Sequence, residues 1–83
     1  MKSLTHYGRL AERHWRAFLP RMVAELEQKG LLRQLLLEAE EKTEAELDQL
    51  RRHLIEQGLT PQQAQDRAWE IVRERYIFLP SES

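Results

Sequence analysis

Eighty-three residues suit one small domain, near the lower limit of what a single hydrophobic core stabilises. Hydrophobic residues make up 41% of the chain and charged residues 33%, a balance typical of neither a disordered nor a membrane protein. The formal net charge is −1. Because the chain has no cysteine, a disulfide framework, a thiol nucleophile and a thiolate metal site are excluded.

The residues before Pro20 and after it should form one amphipathic helix between Thr5 and Lys29. Apolar side chains recur at intervals of mostly three and four across this stretch. Pro20 removes one backbone donor and costs about 3 kcal/mol inside a helix. Because the apolar stripe keeps its phase across Pro20, the pattern favours one kinked helix over two separate helices. Gly30 is a suitable stop.

A second helix is expected over residues 31–57. Thr43 and Glu46 match a capping box that could begin a new helix, but no Gly or Pro lies nearby, so a continuous helix is favoured. The acidic residues between 38 and 46 are typical of a solvated face. Two acid–base pairs at a spacing of four should each add about 0.3 kcal/mol: Glu38–Lys42 and Asp48–Arg52.

The third helix has the clearest start in the chain. Gly58 ends the second helix, Thr60 is a good N-cap, Pro61 suits the first helical position and Gln63 completes a capping box. The apolar residues 76–80 that follow are expected to pack on the body of the protein or on a partner.

No pattern in the chain indicates an enzyme, a bound metal or another cofactor. His6 and His14 lack a carboxylate at helical ligand spacing, and His53 with Glu56 provides only two ligands. A Gly-rich phosphate loop is missing from the sequence, and the serines lie at the termini. We therefore predict a non-enzymatic protein.

Charge is distributed unevenly along the chain. Residues 1–21 carry five basic side chains and one acidic one, whereas residues 22–48 carry three basic and eight acidic ones. We expect these segments to attract each other within the fold or across a homodimer. The alternative is a phosphate-binding ridge of arginines on the first helix: Arg9, Arg13, Arg16 and Arg21.

A helix-turn-helix is a second nucleic-acid motif that the sequence allows, over residues 50–72. Asp66 and Glu70 would oppose phosphates there, so an ordinary antiparallel helical hairpin is favoured.

We predict an all-α fold over residues 1–83, a single small domain of three helices completed by oligomerisation. The predicted core is Tyr7, Leu10, Trp15, Phe18, Met22, Leu26, Leu36, Leu47, Leu50, Leu54, Ala68, Ile71 and Val72. Long apolar stripes on so few helices should leave surface that a homodimer, or a larger helical assembly, covers. The predicted self-association residues are Trp15, Phe18, Trp69, Tyr76 and Phe78.

The chain resembles the TnpV-like family of small proteins encoded on bacterial transposons, across about residues 7–79. The resemblance rests on Tyr7-Gly8, on Gly30-Leu31-Leu32 with the leucines after it, on the acidic run from Glu38, and on residues 67–72 with the apolar close. It implies a mobile-element context and no defined activity.

The predicted function is therefore a self-associating helical interaction protein that docks a larger protein partner through its apolar end. The alternative is a small nucleic-acid-binding accessory that uses the arginine ridge. We predict a cytoplasmic location without membrane association, because no apolar run approaches the ~18 residues of a spanning helix and the first residues lack an apolar signal segment.

Overall fold

The computed structural model describes residues 4–82, and every regular element in that part of the chain is an α-helix. The helices are α1 (His6–Phe18), α2 (Pro20–Gln28), α3 (Leu32–Glu56) and α4 (Pro61–Tyr76). The predicted all-α class is confirmed. The predicted number of helices is wrong, since the first expected helix is divided into two.

The division between α1 and α2 lies at Leu19, whose backbone has φ −131° and ψ 51°. A proline disfavours helical geometry in the residue before it, and Pro20 itself suits the first position of a new helix. The N–H of Leu19 still donates to the carbonyl of Trp15 at 2.7 Å, and the carbonyl of Leu19 accepts from Val23 at 3.0 Å. Backbone hydrogen bonds on both sides of Leu19 therefore keep α1 and α2 connected across the break.

Glu82 satisfies backbone groups that the break leaves without partners. Its N–H donates to the carbonyl of Phe18 at 2.9 Å. Its carboxylate accepts from the N–H groups of Arg21 and Met22, each at 3.0 Å. Free N–H groups and the positive end of the dipole at a helix start favour such an anion. The C-terminal segment therefore stabilises two helices in place of one.

Helix α3 runs without interruption through Thr43, as predicted, and glycines in the left-handed region bound it: Gly30 has φ 71° and Gly58 has φ 107°. Helix α4 begins at the predicted capping box. The hydroxyl of Thr60 accepts from the N–H of Gln63 at 3.2 Å, and the amide oxygen of Gln63 accepts from the N–H of Thr60 at 3.0 Å.

Removing this cap should have a measurable cost. Thr60→Ala is expected to lower the free energy of unfolding by about 1 kcal/mol, because the first turn of α4 loses its side-chain acceptor. Urea denaturation followed by circular dichroism measures the change. Gln62→Ala, at an exposed neighbouring position, should stay within about 0.5 kcal/mol of the original chain. Equal losses for both changes would contradict a role for the cap.

Helices α3 and α4 form the expected antiparallel hairpin. Leu47 packs with Ala68 and Val72 in one buried cluster, and Arg75 near the end of α4 pairs with Glu46 at 2.8 Å. The larger cluster joins α1, α2, the first half of α3 and the C-terminal segment through buried Ala11, Trp15, Leu19, Val23, Leu32, Leu36, Ala39 and Ile77.

Most of the predicted core residues face the interior, and one does not. Five of them are buried: Trp15, Leu36, Leu47, Ala68 and Val72. Seven are half-buried: Tyr7, Leu10, Met22, Leu26, Leu50, Leu54 and Ile71. Phe18 is 50% exposed, so its prediction as a core residue is wrong. The break turns Leu19 inward in its place, with 7% exposure.

The acidic run contains one buried carboxylate, contrary to the expectation of a solvated face. Glu40 is 1% exposed, and its Oε2 accepts from the N–H and the hydroxyl of Thr5 at 2.8 and 2.7 Å. Thr5 is the N-cap residue of α1 and has no cap from its own side chain. Glu40 therefore supplies from α3 the anion that the start of α1 favours.

The protein is thin and extended. The Cα atoms span 46 × 33 × 14 Å, with a radius of gyration of 14.3 Å, whereas a compact domain of this length has about 12 Å. Two packed layers of helix backbone occupy about 13 to 15 Å, from a spacing of 8–10 Å and a radius of 2.3 Å. The short dimension therefore leaves room for two helical layers at most.

Along residues 4–82, none of the helices combines the length and apolar character needed to cross a bilayer.

Candidate interaction surface

The four arginines of the predicted basic ridge are all exposed, but their surroundings differ. Within residues 4–82, the side chains of Arg9, Arg13 and Arg21 form no ion pair. Arg16 pairs with Glu12 at 2.9 Å and with Glu27 of α2 at 3.6 Å. The hydrogen bond that Arg16 donates to Glu12, together with the charge of Glu27, raises the pKa of Arg16 above its usual value. The expected attraction between the basic and acidic segments therefore occurs within the fold at Arg16.

Aromatic rings form a continuous row across α1, α4 and the C-terminal segment, on the side of α1 away from the arginine ridge. His14 lies between Phe18 and Phe78, with ring centroids at 4.7 and 5.2 Å. Phe78 contacts Trp69 at 6.0 Å, and Trp69 contacts Tyr7 at 5.4 Å. Tilted and edge contacts at these distances are favourable for aromatic rings.

The five predicted self-association residues have different exposures. Phe18 is 50% exposed, and Trp69, Tyr76 and Phe78 are half-buried, so each of these four presents some ring surface. Trp15 is 5% exposed, and its indole N–H donates to the carbonyl of Ile77 at 3.1 Å. Trp15 thus contributes to the core, while Phe18, Trp69 and Phe78 belong to the aromatic row.

An apolar groove opens where α2, α3 and the end of α4 meet. It has a volume of about 250 Å³. Its apolar walls are half-buried side chains from three helices and the C-terminal segment: Met22, Leu26, Leu35, Tyr76 and Leu79. Its rim carries Glu38, Lys42 and Arg75. We refer to this feature as the apolar groove.

Two residues that line the apolar groove, Trp15 and Tyr76, are among the predicted association residues, whereas the sequence does not predict Leu35 or Leu79 there. The sequence predicts Met22 and Leu26 as core residues because their spacing of four continues the stripe of α1. The signal that could have identified them is Pro20, because the helix breaks at the residue before it. Without the position of α2, the sequence does not show that Leu35 lies opposite them.

Among residues 4–82, no three or more His, Asp or Glu side chains are placed to hold a metal ion. A second open cavity, of about 380 Å³, lies between α3 and α4 and is lined by Glu46, His53 and Arg75 together with apolar side chains.

The surroundings of Tyr76 change its titration. The nearby carboxylate of Glu46 raises the pKa of Tyr76 above the usual 10.0, partial loss of hydration adds to the rise, and Arg75 opposes it. The folded chain therefore holds this proton more tightly than the unfolded chain does. The resulting stability is present below pH 10.0 and is lost as the pH rises through the pKa of the folded state.

Replacing Glu46 should lower the pKa of Tyr76. Glu46→Gln is expected to move the titration midpoint of the phenol down toward 10.0, because the negative charge that opposes the phenolate is gone. Alkaline ultraviolet titration, with the curve of Tyr76→Phe subtracted to isolate this phenol, measures the midpoint. An unchanged midpoint would show that Glu46 does not control it.

Comparison with known proteins identified no similar protein. No protein-family model, no curated protein and no solved structure matches the chain. Function must therefore be argued from the surfaces themselves.

Proposed function

We propose that this chain is a non-enzymatic, cytoplasmic interaction protein that pairs with a second copy of itself. The observation that carries the proposal is the excess of exposed surface. The chain exposes 5843 Å², whereas a compact monomer of 10.0 kDa exposes about 5,200 Å². The difference, about 600 Å², is surface that a compact monomer of this mass would bury.

The thin shape explains why this surface is apolar in places. Two layers of helix can cover each other on one side only, so half-buried residues remain on the outer sides. They include the walls of the apolar groove and the aromatic row. A second copy would remove such residues from water, and the hydrophobic effect would favour pairing by about 25 cal/mol per Å² of apolar area.

The biological setting that we propose is a mobile genetic element, in which the chain acts as an accessory protein. The support is the resemblance to the TnpV-like family in Tyr7-Gly8 and residues 67–72. A protein of this kind would act by binding, and a larger protein would dock at the apolar C-terminal end. That end presents Phe78 and Leu79, both half-buried.

Self-association has a thermodynamic signature. If the folded chain pairs and the unfolded chain does not, the midpoint of thermal unfolding rises with chain concentration. We expect this rise when circular dichroism melts are compared over a hundredfold range of concentration. In the favourable limit, that range increases the free energy of unfolding by about 2.7 kcal/mol. A midpoint that does not change with concentration would contradict pairing.

The second candidate function is binding of nucleic acid by the arginine ridge. The observation that favours it is that Arg9, Arg13 and Arg21 are exposed and form no ion pair within residues 4–82. Exposed clustered cations supply the salt-dependent part of nucleic-acid binding. The pairing of Arg16 with Glu12 and Glu27 reduces the charge of the ridge and counts against it.

Titration with labelled single-stranded and duplex DNA at two salt concentrations tests this second candidate. It requires an affinity that falls steeply with salt and falls further in the Arg9→Ala, Arg13→Ala chain. Arg52→Ala is the matched control, since Arg52 is an exposed arginine on α3, away from the ridge. Absence of binding at low salt would exclude the candidate.

A further inference from the structure

The rim of the apolar groove carries charges of opposite sign that do not pair with each other. Glu38 and Lys42 are one helical turn apart on α3, a spacing expected to give an ion pair. No ion pair joins them in the described structure, although the equivalent spacing at Asp48 and Arg52 gives one at 3.0 Å. Glu38 has a weak hydrogen bond from Gln34 at 3.5 Å. Lys42 is exposed.

The charges on the rim satisfy the main requirement of a two-fold symmetric interface. In a symmetric dimer, the same patch on both chains must be complementary to itself. A patch with one sign of charge would repel its copy, whereas a patch that has an acid and a base on either side of the axis attracts it. Glu38 and Lys42 provide such a pair, about 6 Å apart along the helix.

The walls of the apolar groove supply the hydrophobic part of the same interface. Leu35 and Leu26 are half-buried, and Met22, Tyr76 and Leu79 continue the apolar surface beside them. A central apolar region with a charged rim is the usual anatomy of a protein–protein interface. The isolated exposed residues elsewhere, such as Leu31 at 40% and Ile55 at 39%, lie near opposite ends of the long helix α3.

We propose that the apolar groove is the surface through which two copies of this chain pair, about a two-fold axis that passes beside α3, perpendicular to it and level with the turn between Glu38 and Lys42. Each Glu38 then faces Lys42 of the second copy, and each Leu35 lies about 7.5 Å along α3 from the axis, in the apolar part of the interface. This inference rests on the proposed self-association and specifies its surface.

Sedimentation equilibrium on the full chain tests this assignment. Leu35→Glu is expected to raise the dissociation constant of the dimer at least about 30-fold, because it places a charge in the apolar part of the interface. Ile55→Glu is the matched control, with the same substituent at an exposed apolar position of α3 outside the groove. It should leave the dissociation constant within about twofold. Circular dichroism establishes that each variant is helical.

Charge reversal provides a second test that does not depend on Leu35. Glu38→Lys alone and Lys42→Glu alone each place like charges across the axis and should weaken the dimer about tenfold. The chain with both changes restores opposite charges and should recover most of the original affinity.

The outcomes separate this assignment from the proposed function. If the original chain is a monomer at all concentrations, both fail. If it is a dimer and Leu35→Glu dissociates it no more than Ile55→Glu does, self-association stands and the groove is the wrong surface. If Leu35→Glu does not fold, the charge variants decide, and failure of the double change to recover affinity overturns the proposed axis.

Discussion

Replacing Ile77 by alanine is expected to lower the free energy of unfolding by about 2–5 kcal/mol. Ile77 is 0% exposed and lies in the larger hydrophobic cluster with Trp15 and Leu36. Alanine would leave a cavity among residues that cannot all move to fill it. A domain of this size has about 5–15 kcal/mol of total stability, so the loss is a large fraction of the total.

The position of Ile77 explains why its effect should be so large. The residue follows α4, and its carbonyl accepts the indole N–H of Trp15 at 3.1 Å. The next residues bring the carbonyl of Leu79 to the Nε2 atom of His14 at 2.8 Å. Ile77 therefore anchors the C-terminal segment that also reaches the break between α1 and α2 through Glu82. Loss of this packing should destabilise both the C-terminal segment and the break between α1 and α2.

Urea denaturation of Ile77→Ala beside Ile55→Ala separates burial from residue type. Ile55 is 39% exposed, and its replacement should change the free energy of unfolding by less than about 0.5 kcal/mol. Similar changes at the two positions would contradict the packing of the C-terminal segment on α1.

Gly8→Ala should destabilise the protein by about 1–3 kcal/mol, against the trend for glycine in helices. Alanine is favoured over glycine in a helix interior by about 1 kcal/mol, so helix propensity alone predicts a gain. A Cβ at position 8 would, however, collide with the Oε2 atom of Glu40 and lie 2.9 Å from the Cδ2 atom of Leu4. Glu40 is buried and holds Thr5 through that same oxygen, so it cannot move away without losing both hydrogen bonds.

A double-mutant cycle identifies the carboxylate as the cause. In a Glu40→Ala background the collision with Oε2 is gone, and the penalty of Gly8→Ala should fall by at least about 1 kcal/mol. The contact with Leu4 remains in both backgrounds and cancels in the comparison. Additive effects of the two changes, or a stabilising Gly8→Ala in the original chain, would contradict the docking of α1 on Glu40.

Local signals in the sequence were sufficient for the second half of the chain. The start of α4 depends on Thr60, Pro61 and Gln63, which are within four residues of one another, so the sequence contains the whole capping box. The continuity of α3 likewise depends on local composition around Thr43, where no Gly or Pro interrupts the helix. Such features need no knowledge of the tertiary structure.

The features that the sequence did not reveal depend on residues far apart in the chain. The break at Leu19 is stabilised by Glu82, 61 residues from Arg21, and without that contact a kinked helix and two helices are hard to distinguish. Glu40 resembles its acidic neighbours in sequence, and only the approach of Thr5, 35 residues away, accounts for its burial. The outward position of Phe18 follows from the same break.

The candidate surfaces were predictable in part. The spacing of Arg9, Arg13 and Arg16 was enough to place them on one side of α1. Arg16 differs from Arg9 and Arg13 in its ion pair with Glu27 of α2, and the sequence does not show where Glu27 lies relative to α1. The apolar groove requires α2, α3 and the C-terminal segment together, and no single stripe contains it.

The central claim is that this thin helical chain pairs with a copy of itself. Multi-angle light scattering of the purified chain across a range of concentrations measures the mass directly. We expect a mass that rises with concentration toward twice the 10.0 kDa of the chain. A mass of 10.0 kDa at every concentration, including the highest that the chain tolerates, would contradict the claim.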